Sequence, residues 1–297
     1  MGQDWGIRSV LVTTPLIGSG CIQMSTAIIV AYTENGFVVA ADGRSLDSRD
    51  PTKHDDSVQK IFPIEDAARA LAFAVSGAAV IGSDAGEDFS FVAEANHGAQ
   101  ALRSSAWSDL EGYGREFARI INKALRKAKD TGRIAAFPTS KNLAGERGTT
   151  IARIVLAGYY SDQPSRIEVR FRHDNEGLSH PEITTGHLEF AVQWGSERIA
   201  KIWMTDQRFA AHRPLLTGHM SMIEHAVKIA TGYIAACSDP AALQIDEEIC
   251  RGIGGRIHAA TITPSGGFHW VPGYEPLSDR PRPGRSTSRW PLPHPAL

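Results

Sequence analysis

The sequence predicts an α+β fold with antiparallel sheets, and three observations point to it. Two β-rich runs on either side of Asn35-Gly36 read as a hairpin, because that dipeptide is the strongest short-range signal for a tight turn. Further on, Phe117, Ile120, Ile121, Ala124, Leu125 and Ala128 recur at helical spacing. Along the chain the elements run as strands, helices, strands, helices, strands, which is the order of an α+β domain.

After the first hairpin, Ala70 to Val75 reads as a third, buried strand. Asp84 to Leu102 is rich in alanine and apolar residues and reads as a helix despite Gly98. The helix through Phe117 and Ala128 carries Lys123, Arg126, Lys127 and Lys129 on its other side, a solvated face, and Gly132 ends it. Strand signals return at Thr149 to Tyr159 and Arg166 to Arg172, around a turn at Ser161-Asp162-Gln163-Pro164. His187 to Trp194 is a short strand, and Ser196 then reads as a helix N-cap. Ile223, Ala226, Val227, Ala230 and Ile234 form the stripe of a core helix. The last unit, GIGGRIHAATITPSGGFHWV, is a strand pair turning at Pro264-Ser265-Gly266-Gly267. From Pro276 the chain is rich in proline and arginine without periodicity and reads as a flexible tail.

Composition narrows the class. With 297 residues, 42% hydrophobic, and a net charge of −2, the chain has material for a large core. It is neither a disordered chain nor an electrostatic binder of nucleic acid. Cys21, Cys237 and Cys250 are too few and too odd in number for a disulfide framework, which fits a reducing cytoplasm. No run has the length of a transmembrane helix, so no membrane partner is expected. No HExxH, paired CxxC or GxSxG motif occurs, and His54-Asp55-Asp56 reads as a solvated loop rather than a metal site.

The chemistry concentrates at the hairpin. Ser25 or Thr26 opens it, Asp42 closes it, and Lys60 follows one loop later in VQKIFPI. Folding the hairpin returns its first residue to the side of Asp42, so a hydroxyl, a carboxylate and an amine converge. A hydroxyl is a weak nucleophile until a base takes its proton, and the nearest base is the α-amine of the same residue. That amine titrates near ~7.7–8, and a neighbouring ammonium lowers it further. Asp42 would hold Lys60 charged and oriented, and the backbone N–H of Ser76 or Gly77 would stabilise an oxyanion.

These residues resemble the amino-terminal part of proteasome β-type subunits, within the N-terminal-nucleophile (Ntn) hydrolases. The likeness covers roughly Ser25 to Ala79. Thr26 matches the family's nucleophilic threonine without a gap up to Asp42, and Asp42-Gly43-Arg44 matches its Asp-x-Arg element. Lys60 matches its catalytic lysine, and LAFAVSGAA at Leu71 to Ala79 is similar to the strand end lining its cleft. The resemblance implies a four-layer αββα sandwich, with two antiparallel sheets between helix layers over residues 25–275. It also implies side-by-side packing into a homo-oligomeric ring, a peptide or small-amide substrate, and no cofactor or metal; a regulatory ATPase partner is left open. Arg44 and Ser196 join the substrate side of the site, since a serine in the family's glycine–serine element approaches the nucleophile. Gly254-Gly255 is similar to the glycine pair before the family's last hairpin. The proteolytic members carry an Asp and a Ser just upstream of that pair, where spacing here gives Cys250 and Ile253.

A free α-amine requires that the preceding residues leave, so residues 1–24 read as a pro-segment or a mis-assigned extension. Removal of Met24 as an initiator would leave Ser25 first. With a two-residue turn, residue 29 pairs with 42, which puts Ser25 rather than Thr26 on the face of Asp42. The ungapped spacing favours Thr26 as nucleophile. Two other readings stand beside the threonine hydrolase: a catalytically inactive scaffold subunit, and an Ntn amidohydrolase acting on small amides.

Overall fold

The structure is a computed structural model and describes residues 26–46, 53–66, 69–77, 80–81, 89–103, 105–107, 109–134, 149–174, 177–186, 188, 192–215 and 220–277. The 1–24 leader, Ser25, and the 276–297 tail beyond residue 277 lie outside them. A first antiparallel sheet is built from β1 (Ile28–Thr33), β2 (Gly36–Ala41), β7 (Val192–Trp194), β8 (His258–Thr263) and β9 (Gly267–Trp270), in the order β7-β1-β2-β8-β9. A second contains β3 (Ile61–Asp66), β4 (Arg69–Gly77), β5 (Thr149–Tyr160) and β6 (Gln163–Asp174), paired in that order, with Gly177–Leu178 and Glu182–Thr185 both pairing with β6. The helices are α1 (Phe91–Ala101), α2 (Leu110–Asp130), α3 (Glu197–Ile202), α4 (Met222–Ser238) and α5 (Pro240–Cys250).

Strand alternation sorts the side chains into three cores. Ile28, Val30, Val39, Ala41, Ala260 and Ile262 of the first sheet meet Ile61, Ala72, Ala74, Val155 and Ala157 of the second. On its other face the first sheet buries Ile29, Ala31, Val38 and Ala40 against Ala226, Ala230 and Ile234 of α4. The second sheet does the same with Leu71, Phe73, Ile154 and Val169 against Tyr113, Phe117, Ile121 and Leu125 of α2. Both faces of each sheet are thus apolar, which is why β1, β2 and β4 read as near-continuous hydrophobic runs in the sequence.

Two boundaries differ from expectation. The hairpin turns on Glu34 and Asn35, and Thr33 pairs with Gly36. Gly36 is needed in the strand instead: its φ is +145°, and a Cβ there would stand 2.5 Å from the carbonyl oxygen of Ile262 on the neighbouring β8. The helix expected from Asp84 begins at Phe91, because Ser90 caps it, its Oγ accepting from the N–H of Ala93 at 3.1 Å. Before the cap, Phe89–Ser90 pairs with Val80–Ile81. Ser90→Ala is expected to cost about 1 kcal/mol, read as a lowered thermal midpoint. The turn between β5 and β6 falls within the expected stretch, on Ser161 and Asp162 with positive φ as in a type I′ turn, while Gln163 and Pro164 already pair with Tyr160 and Tyr159.

Candidate active site

Asp42 is the anchor of the site. It is fully buried, just past the end of β2, and its carboxylate accepts four hydrogen bonds. Oδ1 takes the N–H of Ala27 and the Lys60 ammonium, each at 2.9 Å. Oδ2 takes the N–H of Arg44 at 3.1 Å and of Gly254 at 3.2 Å. One side chain therefore ties together the entry to β1, the exit from β2 and the loop before β8. The Asp42 N–H in turn donates to the carbonyl of Ala27 at 3.1 Å.

Lys60 comes from the other sheet, one residue ahead of β3, and its carbonyl accepts from the N–H of Val75 at 3.1 Å. Its ammonium donates to Thr26 Oγ1 at 3.3 Å as well as to Asp42. Burial pushes the Lys60 pKa down, and the charge and hydrogen bond of Asp42 oppose that shift. Thr26 is half-buried. In the observed register Ala27 stands opposite Asp42, so strict alternation leaves Thr26 off the face of Asp42. The side chain of Lys60 bridges the two because it reaches them from the facing sheet rather than along the hairpin. Ser25 lies outside the described residues.

Ser76 and Gly77 close β4 at the same end, directly after Val75; Ser76 is 7% exposed and Gly77 has φ +85°. Arg44 turns away from the hydroxyl to Asp56, with Nε to Oδ1 at 2.7 Å and Nη2 to Oδ2 at 3.0 Å. Its guanidinium lies so close to Gly254 that a Cβ there would come 2.6 Å from Cζ. The hydrogen bond from Arg44 holds the Asp56 carboxyl below its ordinary range. This pair joins residues 53–59, which lead into β3, to the Gly254-Gly255 turn.

Ser196 does two things. It caps α3, accepting from the N–H of Ile199 at 3.1 Å, and its hydroxyl donates to Asp246 Oδ2 at 2.6 Å. Ile28 pairs with Trp194 in β7, two residues before Ser196. Tyr233 of α4 donates its hydroxyl to the Ser196 carbonyl at 3.0 Å. Asp246 is a residue to which the sequence reading gave no role. It sits inside α5 with non-helical φ −149° and ψ 69°, a break that aims its carboxylate at Ser196. Nothing in the helical pattern of 240–250 marks that break. Cys250 and Ile253 lie in the helix-side core instead. Burial pushes the thiol of Cys237, beside Cys250, well above its ordinary pKa, so it is a packing group rather than a nucleophile.

Among the described residues no cluster of three or more His, Cys, Asp or Glu has a metal-holding arrangement, and no helix is long and apolar enough to cross a membrane. What the fold and the site define is an α+β chain holding a hydroxyl, an ammonium and a buried carboxylate in hydrogen-bonded series at one end of two facing sheets. No protein-family model and no curated protein sequence matches the chain. Among solved structures it is similar to the Gly-1 mutant of Anbu from Hyphomicrobium sp. strain MC1, at 13% identity and a TM-score of 0.44, over 83% of this chain and 84% of that one. It is also similar to Anbu, titled an ancestral beta-subunit, from Yersinia bercovieri, at 9% identity and a TM-score of 0.45, over 86% and 88% of the two chains.

Proposed function

We propose that the chain is an N-terminal threonine hydrolase that cleaves amide bonds through an acyl-enzyme, built on a four-layer αββα sandwich. The observation that carries this reading is the Lys60 ammonium between Thr26 Oγ1 at 3.3 Å and Asp42 Oδ1 at 2.9 Å. Removal of residues 1–25 gives Thr26 a free α-amine. That amine takes the proton of Oγ1, and Oγ1 attacks the substrate carbonyl carbon. Backbone N–H groups at Ser76 and Gly77 receive the oxyanion. The tetrahedral intermediate then expels the amine, which leaves with the transferred proton, and water hydrolyses the resulting ester. The Lys60 ammonium lowers the pKa of the α-amine by like-charge repulsion, so more of it is neutral and able to act as base. Asp42 orients Lys60, and the Ser196–Asp246 pair supplies a fixed polar group two residues beyond the strand that pairs with β1. Peptides are the substrate class, and the motif resemblance supports a homo-oligomeric ring.

Intact-mass analysis and amino-terminal sequencing of natively expressed protein test this, followed by trapping with a threonine-directed electrophile. The expected result is a chain beginning at Thr26 that carries one adduct on that residue. A chain that keeps residues 1–25 and takes no adduct at Thr26 supports the inactive scaffold reading instead. Adduct formation with turnover of small amides and no peptide assigns the amidohydrolase reading.

A further inference from the structure

A second group of charges faces the same space as Thr26. In register across the second sheet, Ser76 of β4 stands opposite Arg153 of β5, and Arg153 opposite Arg170 of β6. Ser76 and Arg153 share the parity of Ala74 and Val155, whose side chains fill the space between the sheets. Thr26 has the parity of Ile28, which points into that space from the first sheet. Val75, next to Ser76, is hydrogen-bonded to the backbone of Lys60, the residue that touches Thr26. Arg153 therefore stands about two strand spacings, roughly 10 Å, from the Lys60 backbone. A substrate residue adjoining the bond held at Thr26 is within reach of its long side chain.

Arg153 is the loosely held cation of this row. The Arg153 side chain is only 19% exposed, and its contact with Glu168 is 3.9 Å, too long for a hydrogen bond. Glu168 is instead hydrogen-bonded to Arg170 Nε at 2.6 Å, and Glu182 pairs with Arg172 at 3.2 Å. Glu168 is thus taken up by Arg170, and Arg153 makes no hydrogen bond among the described residues. A largely desolvated guanidinium with its donors unused is matched by a carboxylate, which it binds bidentately.

We propose that Arg153, beside Ser76, is a specificity site that takes an acidic side chain of the substrate, so that peptides with Asp or Glu next to the cleaved bond are preferred. This rests on the hydrolase reading above and deepens it. Two peptides identical except for Glu or Gln on the acyl side of the scissile bond provide the test. The expected kcat/KM is higher for the Glu peptide by about tenfold or more, the size of one charge-assisted hydrogen bond. Arg153→Met is expected to bring that ratio close to one, whereas Arg153→Lys, which keeps the charge and most of the volume, retains a preference. Thermal unfolding of both variants reports that they are folded. Equal rates on the two peptides with the native chain, or an undiminished ratio in folded Arg153→Met, overturns the proposal and leaves the hydrolase reading standing. If neither peptide is cut, fluorescence anisotropy with the same peptides, labelled, decides separately. Glu-selective binding that Arg153→Met abolishes keeps the acidic site while the hydrolase reading falls, and indifferent binding removes both.

Discussion

Asp42→Ala is expected to cost about 3–5 kcal/mol of folding stability, the penalty for stranding a buried ammonium. The side chains of Lys60 and Asp42 are only 4% and 0% exposed, so water cannot replace the lost carboxylate. Lys60 would keep only the Thr26 hydroxyl, and the N–H groups of Ala27, Arg44 and Gly254 would lose their acceptor. Lys60→Met is not the mirror image. Asp42 then retains its three backbone donors, so the expected cost is smaller, about 1–3 kcal/mol. The double variant removes both charges and should recover part of the Asp42→Ala loss. Urea titrations of the four proteins at one pH read these differences directly. Equal costs for the single variants, or a double variant as unstable as their sum, would show that the pair is not held out of water as described. On the proposed hydrolase reading, peptide cleavage should vanish in all three variants whatever their stability, since each removes a group in the series that ends at Thr26.

The second large effect is a loss of stability in acid that comes from His258. This residue opens β8 opposite Ala41, is fully buried, and among the described residues neither ring nitrogen has a hydrogen-bond partner. Burial, with the nearby positive charges of Arg256 and Lys60, pushes its pKa from the ordinary 6.5 down to about 4. Between those values the unfolded chain binds a proton that the folded chain refuses. Stability from this residue is therefore complete above about pH 6.5 and is lost as pH falls toward 4. Over that window the loss amounts to about 3 kcal/mol, at 1.36 kcal/mol per pKa unit. His258→Phe keeps a ring against Trp270, whose centroid is 6.4 Å away, and removes the titration. Unfolding free energies of the two proteins should run parallel above pH 6.5 and diverge below it, with the native chain falling faster. Parallel curves throughout would mean that the imidazole is solvated or hydrogen-bonded.

Much of this architecture was legible because local chemistry and final environment agree. The hydrophobic runs of β1, β2 and β4 stay strands, since both faces of each are covered, and α2 keeps its stripe on the second sheet. Ser196 is the N-cap its sequence context announced. Where the reading slipped, a contact distant in sequence was responsible. Asn35-Gly36 is a strong turn signal, yet the turn moves back one residue because Gly36 is claimed by the carbonyl of Ile262. Arg44, which the Asp-x-Arg match put at the site, makes its side-chain bonds to Asp56.

Residue types and their order nominated Asp42, Lys60 and a hydroxyl at Ser25 or Thr26, and the ungapped spacing of the resemblance chose Thr26. Their actual meeting depends on two sheets facing each other, for Lys60 arrives from the opposite layer. Asp246 illustrates the same limit more sharply. Its link to Ser196 spans fifty positions and needs a local break in α5, a conformation that no helical periodicity encodes. Periodicity records which face of an element meets apolar neighbours; long-range packing alone chooses which polar groups those neighbours carry.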